Sequence, residues 1–182
     1  CCVRTPTIRA CSHKDQWVTC KREQTLGSQV ATAAQDADDF VKDASAAGIA
    51  EVLVGKLVQD EKGVSADVKK FAQQMVTDHT AANDKLAAIA KSKNLELSED
   101  PILMDKAEAA ILEMHKKSFD QAYANNQVIA HEQATKLYKE EADNGDDPEL
   151  KAFAKATLPT LEQHLEHAKK LAAAHGDDAA KK

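Results

Sequence analysis

The chain has 182 residues, of which 43% are hydrophobic and 30% charged, so it can bury the core of one folded domain. Aromatic residues make up only 4%, and there are just 6 glycines and 4 prolines, which favours long helices and argues against a β-sandwich or barrel. No run of about 18 apolar residues is present, so no transmembrane helix is predicted. The net charge of −6 would repel a phosphate backbone, which argues against a nucleic-acid partner.

The first 30 residues differ from the rest of the chain in charge and in cysteine content. They carry five basic and two acidic groups, a net charge of +3, which leaves −9 for residues 31–182. They also contain all four cysteines of the chain, at Cys1, Cys2, Cys11 and Cys20. The segment is a vector-derived remnant, a native flexible leader, or a disulfide or metal module, although it lacks the close C-x-x-C pairs of zinc sites. An N-terminal cysteine also suits the lipid-bearing residue of a processed lipoprotein.

Five helices are predicted after this segment, four long and one short. Gly63 suits the end of a helix and Ser65 the beginning of the next. Asp147 and Pro148 are an N-cap followed by a proline at the first helical position. Together with apolar residues at spacings of three and four, these signals predict helices over about 36–61, 65–93, 101–116, 119–143 and 147–175.

Short links join the first long helix to the second and the third to the fourth, so each pair is expected to form an antiparallel hairpin. A long crossover over residues 94–118, which contains the short helix, joins the two hairpins. Four helices with one long connection are the arrangement of a ferritin-like four-helix bundle. We therefore predict an all-α, ferritin-like bundle over residues 31–176. Residues 1–30 are then a leader or vector-derived segment outside the fold, and residues 177–182 a flexible tail.

One polar side chain lies on the apolar face of each long helix. Glu51 does so on the first, His79 on the second and His164 on the fourth. His131 holds this place on the third helix, whose face is the poorest in large apolar residues. Counted from the hairpin turns, the four differ in height by about six residues, or ~9 Å at 1.5 Å per residue. They are therefore expected to share one layer inside the bundle.

Such a layer needs a partner, because burying an unpaired carboxylate or imidazole is unfavourable. One transition-metal ion bound by Glu51, His79, His131 and His164 would satisfy all four side chains. Imidazole together with carboxylate suits Zn, Cu, Fe or Ni. A buried hydrogen-bond network without metal is the alternative.

Other polar residues are interpreted from their positions on the predicted helices. The candidates for hydrogen bonds that orient the imidazoles are Asp78, Asn83 and Asp120. The remaining histidines of the predicted bundle are expected on the surface, for His115 and His167, or in a flexible end, for His175.

Several short stretches occur together along residues 36–175. They are Phe40-Val41, Ala50-Glu51-Val52, Val68-Lys69-Lys70-Phe71-Ala72, Met75-Val76-Thr77-Asp78-His79, Ala82-Asn83, Phe119-Asp120, Tyr123, His131, Leu158-Pro159-Thr160-Leu161 and His164. As a set they resemble a bacterial family known as domain of unknown function 4142. The resemblance implies a ferritin-like fold and an exported protein that is periplasmic, outer-membrane-associated or secreted. It implies no particular reaction, because the role of the family is not established.

The chain departs from the pattern of ferritin-like di-iron sites, which use a Glu-x-x-His motif on each of two helices. The positions three residues before the histidines hold apolar residues instead, Val76, Val128 and Leu161. There are also too few inward carboxylates for two irons. The sequence therefore argues against oxidase or iron-storage activity and leaves a single metal ion as the candidate.

Three functions remain open at this stage. The first is an exported helical bundle that binds one metal ion for buffering, sensing or transfer. The second is a metal-free structural or interaction protein of the cell envelope, with an envelope protein or a second copy as partner. The third is a metal-dependent enzyme, for which no substrate and no catalytic residue is indicated. A nucleophilic enzyme is disfavoured because residues 31–182 contain no cysteine and no G-x-S-x-G motif.

Overall fold

The structure is a computed structural model that describes residues 36–98, 103–115 and 118–176. The leader predicted over residues 1–30 and the tail predicted over 177–182 lie outside the described residues.

All of the regular structure in the described residues is helical, which confirms the all-α prediction. The helices are α1 (Ala37–Asp60), α2 (Ala66–Lys93), α3 (Leu103–Met114), α4 (Phe119–Asn144) and α5 (Pro148–His175). Each predicted helix is present, with its ends within two residues of the predicted ones. In the part of the chain that the structure describes, no helix is both long and apolar enough to cross a lipid bilayer.

Two aspartates cap helices as their positions suggest. Asp36 accepts a hydrogen bond from the backbone N–H of Asp38 at 3.0 Å at the start of α1. Asp147 accepts from the N–H groups of Glu149 and Leu150, at 2.9 and 3.0 Å, at the start of α5. These bonds satisfy donors that have no partner within the helix, and they explain why both helices begin where the sequence predicts.

The turn between α1 and α2 differs in one detail from the sequence interpretation. Gly63 adopts a left-handed conformation, φ 79°, which glycine tolerates without strain. Ser65 holds the N-cap position of α2, but its side chain makes no capping bond. Its backbone N–H instead donates to the carboxylate of Asp120, at 3.2 Å from Oδ1. This bond ties the start of α2 to the first turn of α4.

The helices pack chiefly in two pairs. α1 packs along α2, and α4 packs along α5, while α3 lies mainly against α1. The contacts of α1 with α4 and of α2 with α5 are sparser.

The buried apolar side chains form two separate clusters. One is built around Phe71, Met75, Tyr123 and Leu171. The other is built around Phe40, Leu86, Tyr138 and Leu150. On each of the four long helices, the polar residue singled out in the sequence lies between the residues of one cluster and those of the other: Glu51, His79, His131 and His164. A polar layer therefore separates two apolar layers.

Candidate metal centre

Three histidines from three different helices meet in this polar layer. His79 comes from α2, His131 from α4 and His164 from α5, and their exposed fractions are 7%, 1% and 1%. Each ring offers one nitrogen such that these atoms all lie within 4.8 Å of one another. The ring centroids are 5.3–5.6 Å apart. The structure thus brings three candidate ligands to one point, where they have little contact with water.

The ring of His131 is oriented by its own helix. Its Nδ1 lies 2.9 Å from the backbone carbonyl oxygen of Gln127, one turn earlier on α4. A carbonyl oxygen can only accept, so Nδ1 carries the hydrogen and Nε2 keeps its lone pair. That Nε2 lies 3.4 Å from Nε2 of His79. In the metal-free protein, the His79 ring therefore donates to His131.

The ring of His164 is held from the other side by a carboxylate. Its Nε2 lies 2.9 Å from Oδ2 of Asp78, a residue adjacent in sequence to His79. Its Nδ1 is buried and has no hydrogen-bond partner among the described residues. A carboxylate that fixes one nitrogen of a histidine while the other is free is the usual arrangement at metal-bound imidazoles. Asp78, a predicted partner of the imidazoles, takes this position.

Burial keeps all three rings uncharged near neutral pH. Loss of hydration, together with the repulsion of a positive charge by the neighbouring His131 and His164, lowers the pKa of His79 to about 3. Burial likewise lowers the pKa of His131 to about 4. The pKa of His164 is also lowered by burial, although the hydrogen bond that it donates to Asp78 opposes the shift. Neutral imidazole is the form that binds metal ions.

The spacing of the nitrogens is close to what one ion requires. Ligand nitrogens at ~2.0–2.1 Å from a tetrahedral ion are about 3.3 Å from one another. The 3.4 Å separation of His79 and His131 already meets this distance. The widest separation, 4.8 Å, must shrink by about 1.5 Å. Three imidazoles fit Zn, Cu, Fe or Ni.

Glu51 lies beside the three histidines but has a different partner. Its Oε2 accepts a hydrogen bond from Nε2 of Gln127 at 2.8 Å, and the carboxylate is not one of the grouped ligand atoms. Burial raises the pKa of Glu51 to about 7, against the opposing effect of the Gln127 bond. Tyr123 is fully buried near Glu51, and burial raises the pKa of its phenol. The role of Glu51 as a fourth ligand stays a prediction.

The other two predicted partners of the imidazoles take other positions. Asn83 is partly buried, with its amide group close against Gly48 of α1. Asp120 accepts from the N–H of Ser65 and lies 3.9 Å from Nδ1 of His175. Among the described residues, neither Asn83 nor Asp120 hydrogen-bonds to the three histidines.

Sequence reasoning missed one residue of the polar layer, Gln127, which is fully buried and bonded to Glu51. The signal was present, because Gln127 lies on α4 four residues before His131. The expectation that His175 lies in a flexible end is wrong: it is buried, and its Nε2 lies 3.0 Å from Oδ2 of Asp67 on α2.

His115 and His167 are exposed, as predicted. His115 pairs with Glu61 at 3.0 Å. The ring of His167 lies edge-on to Phe71, with 4.8 Å between the ring centroids. Neither histidine belongs to the group of three.

Comparison with known proteins gives one result. No curated protein and no solved structure matches the chain. The family described as a domain of unknown function, DUF4142, matches residues 22–171. The match begins before residue 36, where the resemblance found in the sequence starts, and so includes part of the segment predicted to lie outside the bundle. Since it spans most of the sequence, the chain belongs to the DUF4142 family.

Proposed function

We propose that this protein binds one transition-metal ion, Zn, Cu, Fe or Ni, through His79, His131 and His164. The observation that carries the proposal is the arrangement of the three rings. They are buried and uncharged near neutral pH, and they converge on one point, where Nδ1 of His164 has no hydrogen-bond partner among the residues that the structure describes. A buried polar atom without a partner costs about 1–3 kcal/mol, and a metal ion would remove that cost.

The proposal includes a ferritin-like four-helix bundle around the ion. The packing of α1 along α2 and of α4 along α5 supports it, as does the long connection over residues 94–118. The site differs from di-iron centres of that class, because three histidines converge here rather than a set of carboxylates. We propose a role in buffering, sensing or transfer of the ion.

We further propose that the protein is exported and acts in the periplasm, at the outer membrane or outside the cell. The support is the resemblance described above, together with the absence of cysteine from residues 31–182. A cysteine-free bundle suits an oxidising compartment, where free thiols would pair or be oxidised. Fractionation of the cells that produce the protein tests this part directly.

The metal proposal is tested by elemental mass spectrometry on the full chain, produced without a polyhistidine tag and loaded with each metal in turn. About one ion per chain is expected, and His79→Ala, His131→Ala or His164→Ala is expected to abolish binding. The matched control is His167→Ala, an exposed histidine on the same helix as His164. A second control replaces the four cysteines by serine, so that metal held by thiolates is recognised.

Thermal unfolding gives an independent measurement. A ligand at 100 times its Kd stabilises the folded state by about 2.7 kcal/mol, so the metal should raise the Tm and a chelator should reverse the rise. Absence of metal after loading, or equal binding by the three alanine variants, would contradict the proposal. The histidines would then form a hydrogen-bonded layer of a metal-free interaction protein of the cell envelope.

A further inference from the structure

A cavity of about 480 Å³ lies between α1 and α4 and reaches the polar layer. His79, His131 and Glu51 line it, so two of the three proposed ligands border the cavity. His164 does not line it, since that ring is held from the α2 side by Asp78. Two of the three histidines therefore border the cavity, whereas the third bonds to Asp78.

The cavity exists because the facing residues of α1 and α4 are small. Its walls include Ala44, Ala47 and Gly48 on α1 and Ala130 and Ala134 on α4. Larger apolar groups close it at one side, namely Leu137, Tyr138 and Leu161. Its size falls in the range of about 300–1,000 Å³ that small-molecule sites occupy, and far exceeds the ~30 Å³ that one water needs.

The three histidines supply one ligand atom each, and the Glu51 carboxylate, which accepts a hydrogen bond from Gln127, is not among the grouped atoms. A site with three protein ligands leaves a coordination position for water or another molecule. We infer that this position opens into the α1/α4 cavity and binds a small exogenous ligand. This inference rests on the proposed metal site.

The residues that line the cavity indicate which class of ligand it can bind. Among the described residues, the charged groups that line it are Asp43 and Glu51, and neither lysine nor arginine does. A bound ion attracts anions, and the carboxylates of Asp43 and of Glu51, which is only partly ionised near neutral pH, offset that attraction. The remaining lining is mostly alanine, with leucine and the tyrosine ring, which suits an apolar body. The ligand is therefore a neutral molecule with an apolar body and one nitrogen lone pair, such as imidazole or an amine in its unprotonated form.

The experiment uses Co²⁺ as the spectroscopic probe in the full chain and imidazole as the exogenous ligand. Saturable perturbation of the Co²⁺ absorption by imidazole is expected, with azide, an anion of similar size, at least tenfold weaker. Ala134→Leu should weaken the binding of imidazole at least tenfold without loss of Co²⁺. Ala47→Leu changes an exposed residue on the opposite wall of the cavity and should have the same effect. It replaces Ala134→Leu in the experiment if that variant fails to fold.

The matched control is Ala82→Leu. Ala82 and Ala134 are both partly buried, and each follows a histidine of the group by three residues. Ala82 lines a separate depression beside Asp78, outside the α1/α4 cavity, so its substitution should leave imidazole binding unchanged. Equal effects of the two substitutions, or azide binding more tightly than imidazole, would overturn the inference.

The test separates this inference from the proposed function. Co²⁺ binding with a spectrum that imidazole does not change means that the coordination position is closed, which overturns the inference and leaves the metal site standing. Failure of Co²⁺ and of every other metal to bind overturns both.

Discussion

Oδ2 of Asp78 lies 2.9 Å from Nε2 of His164, while Nδ1 of the same ring is buried without a hydrogen-bond partner among the described residues. The contact joins α2 to α5, a helix pair whose contacts are otherwise sparse. Because the carboxylate holds the hydrogen on Nε2, the lone pair of His164 stays on Nδ1. The orientation of one proposed ligand therefore depends on a residue that is not itself a ligand.

This relationship predicts the effect of Asp78→Ala on metal affinity. Loss of the carboxylate frees the imidazole to rotate and to change tautomer, so the affinity should fall about 10–100-fold. Asp78→Asn should have a smaller effect, because the amide oxygen can still accept the bond. Competition with a chromophoric chelator measures both affinities.

The control for this prediction is Asp84→Ala, which removes a carboxylate from an exposed position of the same helix. It should leave the affinity unchanged within about twofold, since surface substitutions away from the site shift free energies by less than about 0.5 kcal/mol. An equal affinity in Asp78→Ala and Asp84→Ala would show that Asp78 does not orient the ligand.

The stability of the metal-free protein should fall as the pH falls below about 6.5. In the folded state, the pKa of His79 is lowered to about 3 and that of His131 to about 4, from an ordinary 6.5. The unfolded chain therefore binds protons first on acidification, and the free energy of unfolding decreases between pH 6.5 and those values. Above pH 6.5 neither state protonates these rings, and their contribution to stability is fully present.

Glu51 acts in the opposite direction over a partly shared range. Its folded-state pKa of about 7 exceeds the ordinary 4.5, so the folded state binds the extra proton between pH 4.5 and 7 and is stabilised by acidification. The histidines outweigh Glu51, so these groups together should lower the free energy of unfolding by about 1–2 kcal/mol per pH unit between pH 6.5 and 4.5. Glu141, whose pKa is also raised by burial, acts in the same direction as Glu51 and reduces this loss.

Urea unfolding at several pH values measures this slope. His131→Leu should flatten it, because one of the rings that resist protonation is gone, whereas His167→Ala should leave it unchanged. A slope equal in wild type and His131→Leu would contradict the assignment of the loss to the buried rings.

The helix boundaries could be predicted because their signals are local. Asp36, Gly63, Asp147 and Pro148 act within their own turns, and the spacing of apolar residues identifies the buried face of each helix. The same spacing pointed to His79, His131 and His164, because each lies on an apolar face where a polar group is conspicuous. Features that depend on a single helix can therefore be predicted from the sequence of that helix.

Pairing across helices could not be predicted in this way. The Glu51 carboxylate accepts a hydrogen bond from Gln127, 76 positions later, and Asp120 bonds to the start of α2 rather than to one of the three grouped histidines. Both outcomes depend on how far each helix is rotated and on the reach of a long side chain, which periodicity does not encode. His175 was misjudged for the same reason, since its partner Asp67 is distant in the chain.

At Gly55, α1 lies close against the backbone of α2, which predicts that Gly55→Ala is destabilising. A Cβ at this position would lie 2.7 Å from Cγ2 of Val76 and 3.0 Å from the backbone oxygen of Ala72. Alanine is intrinsically better in a helix by about 1 kcal/mol, but overpacking typically costs about 1–3 kcal/mol and a backbone oxygen cannot rotate away. We expect a net loss of stability in chemical unfolding.

The Val76→Ala background provides the control for Gly55→Ala. It removes the nearer contact and leaves the Ala72 carbonyl, so it should recover part of the loss and not all of it. A positive coupling between the two substitutions in a double-mutant cycle is expected. Purely additive effects would mean that α1 and α2 can move apart at this point without a cost in free energy.

Glu141 is a buried carboxylate that should lower stability in the native protein. It is fully buried on α4, and neither carboxylate oxygen has a hydrogen-bond partner among the described residues. Burial, together with the nearby Asp147 and Asp146, raises its pKa, and Lys151 opposes the shift only in part. Because the folded-state pKa is raised, the destabilisation is present at high pH and decreases as the pH falls and the group is protonated.

Glu141→Met should therefore stabilise the protein by about 1–3 kcal/mol at pH 8 and by less at pH 5, because an apolar side chain of similar length needs no partner. The control is Glu140→Met, the neighbouring exposed position, which should change stability by less than about 0.5 kcal/mol. Thermal unfolding at the two pH values measures both. A loss of stability in Glu141→Met at pH 8 would contradict the prediction that the buried carboxylate destabilises the folded state.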